Sequence, residues 1–394
     1  MRSRMSIFSP TLAKKLFTRF WPLLAAYTII LFLAVISPLS NAIPLAETAA
    51  SDYYQSFFSQ HLLRVVSGEY SVLSMIYAMF IAMAVFAYMY NSRTADAYHC
   101  LPIKRGGIFA TGYLTGLGFI LAPHLLIFVL GLFVGAGGAA PFFTALLIWL
   151  GAYSIQGMFF FSLAVLCAHA TGSIVMMPIL TIIMNFLVTV VVMISGIILE
   201  AFGYQGYAVW FTPLSPCAHL ASRYFFIEAA AYSSGQYQPF SWGYFIGLLV
   251  ASIACAALGL LLYHLRKTES AGDVIAPSKL RPLFKYCFAT GCAMVLGIFI
   301  AATFFTGMTV DPASLFSGWQ LTLSIFIGGA IGYYAAEAML MRNLKISRRA
   351  WQWLFIFLGV LLAATSVFWF DLLGLGKVSS HIKYIAEMSF VFLL

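Results

Sequence analysis

The chain has 394 residues, of which 62% are hydrophobic and only 8% charged, and its formal net charge at pH 7 is +9. Soluble globular domains carry about 25% charged residues, and a soluble fold this poor in charge would expose large apolar patches. The composition therefore excludes an ordinary soluble domain and indicates that lipid surrounds most of the chain.

The apolar residues come in runs of about 20, the length that an α-helix needs to cross the hydrocarbon core of a bilayer. The alternation typical of membrane strands is absent, and a helix satisfies its own backbone hydrogen bonds in lipid. We therefore predict an all-α, polytopic transmembrane helical bundle of about nine spans. The predicted spans are residues 21–39, 71–90, 110–134, 143–168, 173–199, 243–264, 287–307, 319–340 and 351–373.

The basic residues indicate how these spans are oriented. If nine helices alternate, 17 of the 21 Lys and Arg residues fall on one side, in the N-terminal tail and in the loops at 91–109, 265–286 and 341–350. Cytoplasmic loops carry an excess of Lys and Arg, so we predict a multi-pass protein of the cytoplasmic membrane with a cytoplasmic N-terminus. Because this asymmetry accounts for the net charge, we expect no nucleic-acid partner.

The first segment of the chain is basic as well as apolar. Residues 6–20 mix Phe and Leu with Lys and Arg, which predicts either an amphipathic helix on the inner membrane surface or a basic tail that sets topology. The apolar run that follows is about 19 residues long, more than the core of a usual signal peptide. We therefore expect it to remain as an uncleaved first transmembrane helix.

A polar interruption follows the second span, where residues 91–105 read NSRTADAYHCLPIKR. The stretch RTADAY predicts a short helix, and Pro102 predicts its end because the residue before a proline disfavours the helical region. The stretch IKRGGIF then predicts a helical restart along the membrane surface. A turn between two spans needs fewer residues, so this loop either docks into a partner or is a plain connector that sets topology.

Two later segments also depart from the pattern of the spans. Residues 201–242 are rich in aromatics and interrupted by prolines, which predicts short helices that dip into the outer leaflet or an aromatic belt at the headgroups. Residues 265–286 predict a cytoplasmic amphipathic linker. Beyond it, residues 287–394 hold additional transmembrane helices and a short tail.

Polar residues inside predicted spans are candidates for a functional role. His124 follows Pro123 in the third span, and it either lines a translocation path or is a neutral histidine bonded to a carbonyl that Pro123 frees. Gln156 and Asn185 are further candidates for such a path. The alternative for both side chains is hydrogen bonding between helices.

Motifs that carry chemistry are absent from the sequence. It has no G-x-x-x-x-G-K-[ST] loop for ATP and no H-E-x-x-H motif, and Cys217 and His219 are too few ligands for zinc. We therefore expect no catalytic, cofactor or metal site on this chain. No acidic residue lies in the middle of a span, which disfavours a proton-coupled carrier. Glu337 lies near an inner end, where we expect it to reach the interface or pair with Arg342.

The order of these features resembles that of an ABC-2 type permease, the membrane subunit of a bacterial ABC exporter, in its long Gram-positive version. The loop R-x-x-D-x-Y-H-x-L-P-I-K-R at 93–105 is similar to the family's coupling helix, and residues 6–20 resemble its connecting helix. FTPLSP at 211–216 resembles the outer re-entrant region. RKTESAGDVIAPSKLRPLFKY resembles the linker that precedes the extra helices of the long versions.

This resemblance implies a six-helix core over 1–264 and a permease subunit that exports a hydrophobic or amphipathic compound, such as a drug, an antimicrobial peptide or a lipid. It implies a P-loop ATPase partner that holds ATP and Mg, and a second permease copy or homologue, all among membrane lipids. It assigns surface anchoring to Lys104 and Arg105. The residues that it assigns to ATPase coupling are Arg93, Asp96, Tyr98, His99, Leu101 and Pro102.

Two other classes of function stay open on the sequence. One is a non-transporting membrane sensor or scaffold protein, and the other is a secondary transporter. Co-purification of an ATPase would separate the permease from both.

Overall fold

The computed structural model of this chain is helical in its described part, apart from short turns, and contains no strand there. The structure describes residues 8–37, 65–66, 69–134, 140–201, 215–220, 242–266, 281–305, 318–341 and 348–369. The helices are α1 (Pro10–Leu31), α2 (Glu69–Phe86), α3 (Ser92–His99), α4 (Arg105–Val134), α5 (Ala140–Ala170), α6 (Met176–Ala201), α7 (Trp242–Leu265), α8 (Arg281–Phe304), α9 (Gly318–Met341) and α10 (Arg348–Trp369).

Within these residues, nine helices are long and apolar enough to cross a membrane. They coincide with the nine predicted spans, so the prediction of a polytopic helical bundle is confirmed. The chain is a multi-pass membrane protein on this evidence. The exception to the spanning pattern is α3, whose 8 residues are too few to cross a bilayer.

The helix α1 begins at a capped end. Ser9 is its N-cap, the Ser9 hydroxyl accepts a bond from the Leu12 amide at 3.4 Å, and Pro10 takes the first helical position, where a proline loses no helical hydrogen bond. The helix passes through Pro22 and is extended by a π-helical turn, Phe32–Ile36. Residues 10–20, which the sequence assigns to a surface helix or a tail, are therefore the first turns of the same helix as the first span.

Two compact units divide the chain, and the first comprises residues 1–186 and 215–277. Its centre is α5, which packs against α2, α4 and α7. The large side chains on α5 are fully buried, and they include Trp149, Tyr153 and Phe161. The short connection of residues 171–175 joins α5 to α6, as the sequence predicts.

The second unit comprises residues 187–214 and 278–394, and its most extensive helix contact is between α8 and α9. Glycines bring these two backbones together. A Cβ atom added at Gly297 would lie 2.8 Å from the Cα atom of Ile325, and one added at Gly328 would lie 2.9 Å from the backbone nitrogen of Gly297. Only residues without a side chain allow so close an approach.

An ion pair also joins α8 to α9. The Lys285 ammonium lies 2.7 Å from a carboxylate oxygen of Glu337 and 4.2 Å from the centroid of the Tyr333 ring. Glu337 therefore pairs with a lysine of the neighbouring helix, which the sequence did not predict. Arg342, its expected partner, lies outside the described residues.

Candidate functional site: the 91–105 segment and the buried polar residues

The side chains of Asn91 and Thr94 form hydrogen bonds that stabilise the first turn of the short helix α3. Asn91 is the N-cap, with an extended backbone, and its side-chain oxygen accepts a bond from the Arg93 amide at 3.0 Å. The Thr94 hydroxyl donates to the carbonyls of Tyr88 at 2.8 Å and of Asn91 at 2.9 Å. The helix ends at His99, three residues before Pro102, so the predicted short helix and its end are confirmed.

One side of α3 packs against its own chain. The ring of Tyr98 stacks on that of Tyr88 with a centroid distance of 4.2 Å and an interplanar angle of 8°. Ala95, one turn earlier, is only 4% exposed. Because these two residues are three apart, they share a helix face. With that face α3 rests on residues 87–90, which we call the seat of α3.

The opposite side of α3 and the turn that follows are open to solvent. Arg93 and Asp96 are exposed, as is Pro102, and the apolar side chain of Leu101 is 39% exposed. Of the six predicted coupling residues, Tyr98 differs from these four because it faces its own chain. His99 ends the helix, and its side chain lies outside the described part.

Lys104 and Arg105 lie where α4 begins. Both side chains are exposed, and the Lys104 carbonyl accepts a bond from the Gly107 amide at 2.8 Å. The stretch that the sequence assigns to a surface restart is thus continuous with the third span. Exposed basic residues at a helix end can interact with lipid headgroups.

A second group of functional candidates lies inside the spans, around His124. This histidine is fully buried, with Nε2 3.2 Å from the Tyr27 hydroxyl and Nδ1 3.2 Å from the Ser154 hydroxyl. The prediction that His124 bonds to a carbonyl freed by Pro123 is not met, because both of its recorded partners are hydroxyl groups from other helices.

Three tyrosines extend this site. The Tyr27 ring stacks on the Tyr77 ring at 3.6 Å, and the Tyr27 hydroxyl donates to the Tyr153 hydroxyl at 3.5 Å. We call Tyr27, Tyr77, His124, Tyr153 and Ser154 the interior cluster. It joins α1, α2, α4 and α5 through uncharged polar groups. Only the histidine stands out in the sequence, because a tyrosine in an apolar run gives no signal that its hydroxyl is paired.

Gln156 and Asn185 are both fully buried, but neither bridges two helices in the described part of the chain. The Asn185 side chain donates to the Thr181 carbonyl of its own helix at 3.0 Å. Neither amide atom of Gln156 has a hydrogen-bond partner among the described residues. An unpaired buried amide costs free energy, so Gln156 is the stronger candidate for contact with a polar group that the described residues do not supply.

The described residues contain no group of three or more His, Cys, Asp or Glu side chains that could hold a metal ion. The thiol of Cys217 is buried 3.7 Å from the Ser71 hydroxyl, and burial raises the pKa of this thiol. The His219 ring packs against Tyr244 at 4.6 Å. The C-x-H pair is therefore part of the packing of the first unit.

No protein-family model, no curated protein and no solved structure matches this chain. Its class, a multi-pass helical membrane protein, rests on the nine helices themselves.

Proposed function

We propose that this chain is the membrane-spanning permease subunit of an ATP-driven exporter, with the organisation of an ABC-2 type permease. The observation that carries the proposal is α3, a capped helix of 8 residues outside the spans. It is seated on its own chain by Tyr98 and presents Arg93 and Asp96 to solvent, and the turn that follows presents Leu101. In a chain with only 8% charged residues, such a surface fits a role in binding a soluble partner.

The partner in this proposal is a P-loop ATPase, which binds ATP and Mg and supplies the energy that this chain has no motif to provide. The apolar side chain of Leu101 fills a groove on the ATPase, and the charges of Arg93 and Asp96 set the orientation of docking. When the ATPase subunits close on ATP, α3 moves with them. A second permease copy or homologue completes the transporter, and the N-terminus faces the cytoplasm.

The interior cluster and Gln156 mark the path of the cargo in this proposal. Their groups are polar but uncharged, and they lie among the large apolar side chains of α5. Such a lining suits an amphipathic or hydrophobic compound with a hydrogen-bonding group. Asn185 belongs to the same candidate path, although its amide bonds to its own helix.

The alternative classes receive less support. A proton-coupled carrier usually needs carboxylates at the membrane midplane, and the described carboxylate of Glu337 lies near the end of α9, paired with Lys285. A sensor or scaffold protein would have no need for an ATPase, so the partner itself decides between that class and a permease.

The test is capture of a P-loop ATPase from solubilised native membranes by the affinity-tagged full chain. We expect Asp96→Arg and Leu101→Glu each to weaken ATPase binding by about 30-fold, because loss of a buried interface anchor commonly costs ~2 kcal/mol or more. Lys104→Gln is the matched control. It removes an exposed charge from the same segment, and a basic residue at an anionic surface contributes only about 1 kcal/mol.

The expression level and melting temperature of each variant show whether the fold survives, which we expect because these residues lie outside the spans. Capture of no ATPase by the parent chain would refute the permease. If Asp96→Arg and Leu101→Glu capture as much ATPase as the parent chain does, α3 is not part of the interface and is a plain connector.

A further inference from the structure

Arg266 follows the last residue of α7 and is only 7% exposed. Its sequence position, beside Lys267 at the start of a basic linker, predicts a solvated charge. Arginine is rarely buried without groups that satisfy its donors, so its burial requires an explanation.

The guanidinium group of Arg266 bonds to three backbone carbonyls from separate parts of the chain. Nη1 donates to Ala168 at 3.1 Å and to Thr171 at 2.8 Å, and Nη2 donates to Met89 at 3.0 Å. Ala168 lies in the last turn of α5, Thr171 in the turn that follows it, and Met89 in the 3₁₀ turn that extends α2. Carbonyls at the C-terminal ends of helices lack helical partners and carry partial negative charge, so they compensate the buried cation.

The bond to Met89 places Arg266 next to the seat of α3. Residues 87–90 form that seat, and Tyr88 supplies both the ring under Tyr98 and the carbonyl that Thr94 donates to. The Tyr88 hydroxyl also donates to the Tyr263 hydroxyl of α7 at 3.4 Å. The Arg266 guanidinium also lies 5.8 Å from the centroid of the Tyr90 ring. Three contacts therefore connect the end of α7 with the turn on which α3 rests, and Arg266 makes two of them.

We infer that Arg266 is a positioning residue that fixes the seat of α3 to the ends of α5 and α7. Movement of α3 is therefore transmitted through this seat to α2, α5 and α7 together, and not only to α4, which follows α3 in the chain. The transmission of ATPase movement rests on the proposed function, whereas the effect of Arg266 on the seat of α3 does not. The planar guanidinium holds carbonyls in fixed directions, which the single ammonium of a lysine cannot reproduce.

The experiment measures maleimide labelling of an Ala95→Cys reporter in the purified full chain, read for each cysteine by tandem mass spectrometry. Residue 95 is buried while α3 is seated. Two native cysteines provide references in the same molecule. Cys100 is exposed at the end of α3 and reports the reactivity of the reagent, and Cys217 is buried elsewhere in the first unit and reports general loosening.

In Arg266→Gln we expect labelling at residue 95 to rise about tenfold, since a hydrogen bond to a charged group shifts an equilibrium by that much or more. Labelling of Cys100 and Cys217 should stay within twofold of the parent. Arg266→Lys should fall between the two, and Lys104→Gln should match the parent. A merely structural arginine would instead raise the labelling of residue 95 and Cys217 together, which would overturn the inference, as would parent-like labelling at residue 95.

If Arg266→Gln does not accumulate in membranes, Arg266→Lys decides the question, because it keeps the charge but cannot hold all three carbonyls. We then expect a rise of about threefold at residue 95, and parent-like labelling at residue 95 would overturn the inference.

A second experiment tests whether Arg266 transmits movement of the ATPase. A non-hydrolysable ATP analogue added to the ATPase complex should change labelling at residue 95 in the parent and leave the Arg266→Gln complex unchanged. An equal change in both complexes would refute the coupling role of Arg266. If no ATPase associates with the chain at all, the proposed function fails while the positioning of α3 is still decided by the first experiment.

Discussion

In the first unit, helices meet through aromatic rings and hydroxyl groups and at glycines that receive side chains, such as Gly157, whereas in the second unit the backbones of α8 and α9 meet directly across glycines. The interior cluster is the clearest case of the first kind, with Tyr27 stacked on Tyr77 and bonded to His124. Gly297 and Gly328 are the clearest case of the second. The same membrane environment is thus compatible with two kinds of helix packing within one chain.

The difference follows from what lipid offers to a helix pair. Lipid tails are as apolar as leucine, so burial of apolar side chains between helices contributes little, and association depends on close packing and hydrogen bonds. A polar network can rearrange by exchanging hydrogen-bond partners, whereas two backbones in direct contact across glycines leave no space for such a rearrangement. We therefore expect the first unit to contain the parts that move during transport, and the second unit to behave as a rigid element.

The largest expected effect is on the ion pair of the second unit. Lys285→Met leaves the nearly buried carboxylate of Glu337 without its cation, and breaking a buried pair costs about 3 kcal/mol or more. We expect the midpoint of chemical denaturation of the purified protein to fall accordingly. The double variant Lys285→Met with Glu337→Leu removes both charges and should recover most of the stability. A single variant as stable as the parent would show that this pair is effectively solvated.

The next effect concerns the glycine contact. In Gly297→Ala the added Cβ meets the backbone of Ile325 at 2.8 Å, so α8 and α9 must move apart, and overpacking of this kind costs about 2 kcal/mol.

Gly291→Ala is the matched control on the same helix, since a Cβ there meets nothing within 4 Å. It should be neutral or slightly stabilising, because alanine favours the helix by up to about 1 kcal/mol. If Gly297→Ala and Gly291→Ala had equal thermal stability, the backbone contact at Gly297 would not be tight, and the second unit would not differ from the first in this way.

The smallest effect on stability is expected in the first unit. His124→Phe preserves an aromatic ring but removes the partners of Tyr27 and Ser154, and hydrogen bonds between membrane helices contribute about 1 kcal/mol each. We expect a slightly lower melting temperature and, in a reconstituted exporter, a much larger loss of transport. Tyr113→Phe is the comparison, because it removes a hydrogen bond between α4 and α5, the 2.7 Å contact with the Ser162 hydroxyl, outside the interior cluster. If each variant lost transport only in proportion to its loss of stability, the role of the interior cluster would be purely structural.

The sequence was sufficient to predict the elements that depend on local composition. Run length located all nine spans, and Pro102 located the end of α3, because the length of a helix in lipid and the steric effect of a proline are local properties. The order of charged and proline residues in 91–105 likewise indicated an element outside the spans.

The contacts between helices could not be read in the same way. Arg266 looked solvated, and its burial depends on carbonyls that are far away in the sequence, at Met89 and Ala168. From the sequence we expect Glu337 to reach the interface or to pair with Arg342, which is nearby along the chain, whereas Lys285 reaches it from another helix. Such pairs are decided by which helix faces meet, and hydrophobicity all round a membrane helix hides those faces.

The length of α4 has a mechanical consequence. This helix has 30 residues, runs through Pro123 and starts six residues after α3 ends, so a pull on α3 can tilt the N-terminal end of α4. At 1.5 Å per residue, His124 lies about 28 Å from Arg105, and a tilt of roughly 10° at that end would sweep the histidine sideways by about 5 Å. A displacement of that size exceeds the reach of any hydrogen bond, so a modest pull on α3 would be enough to open the interior cluster.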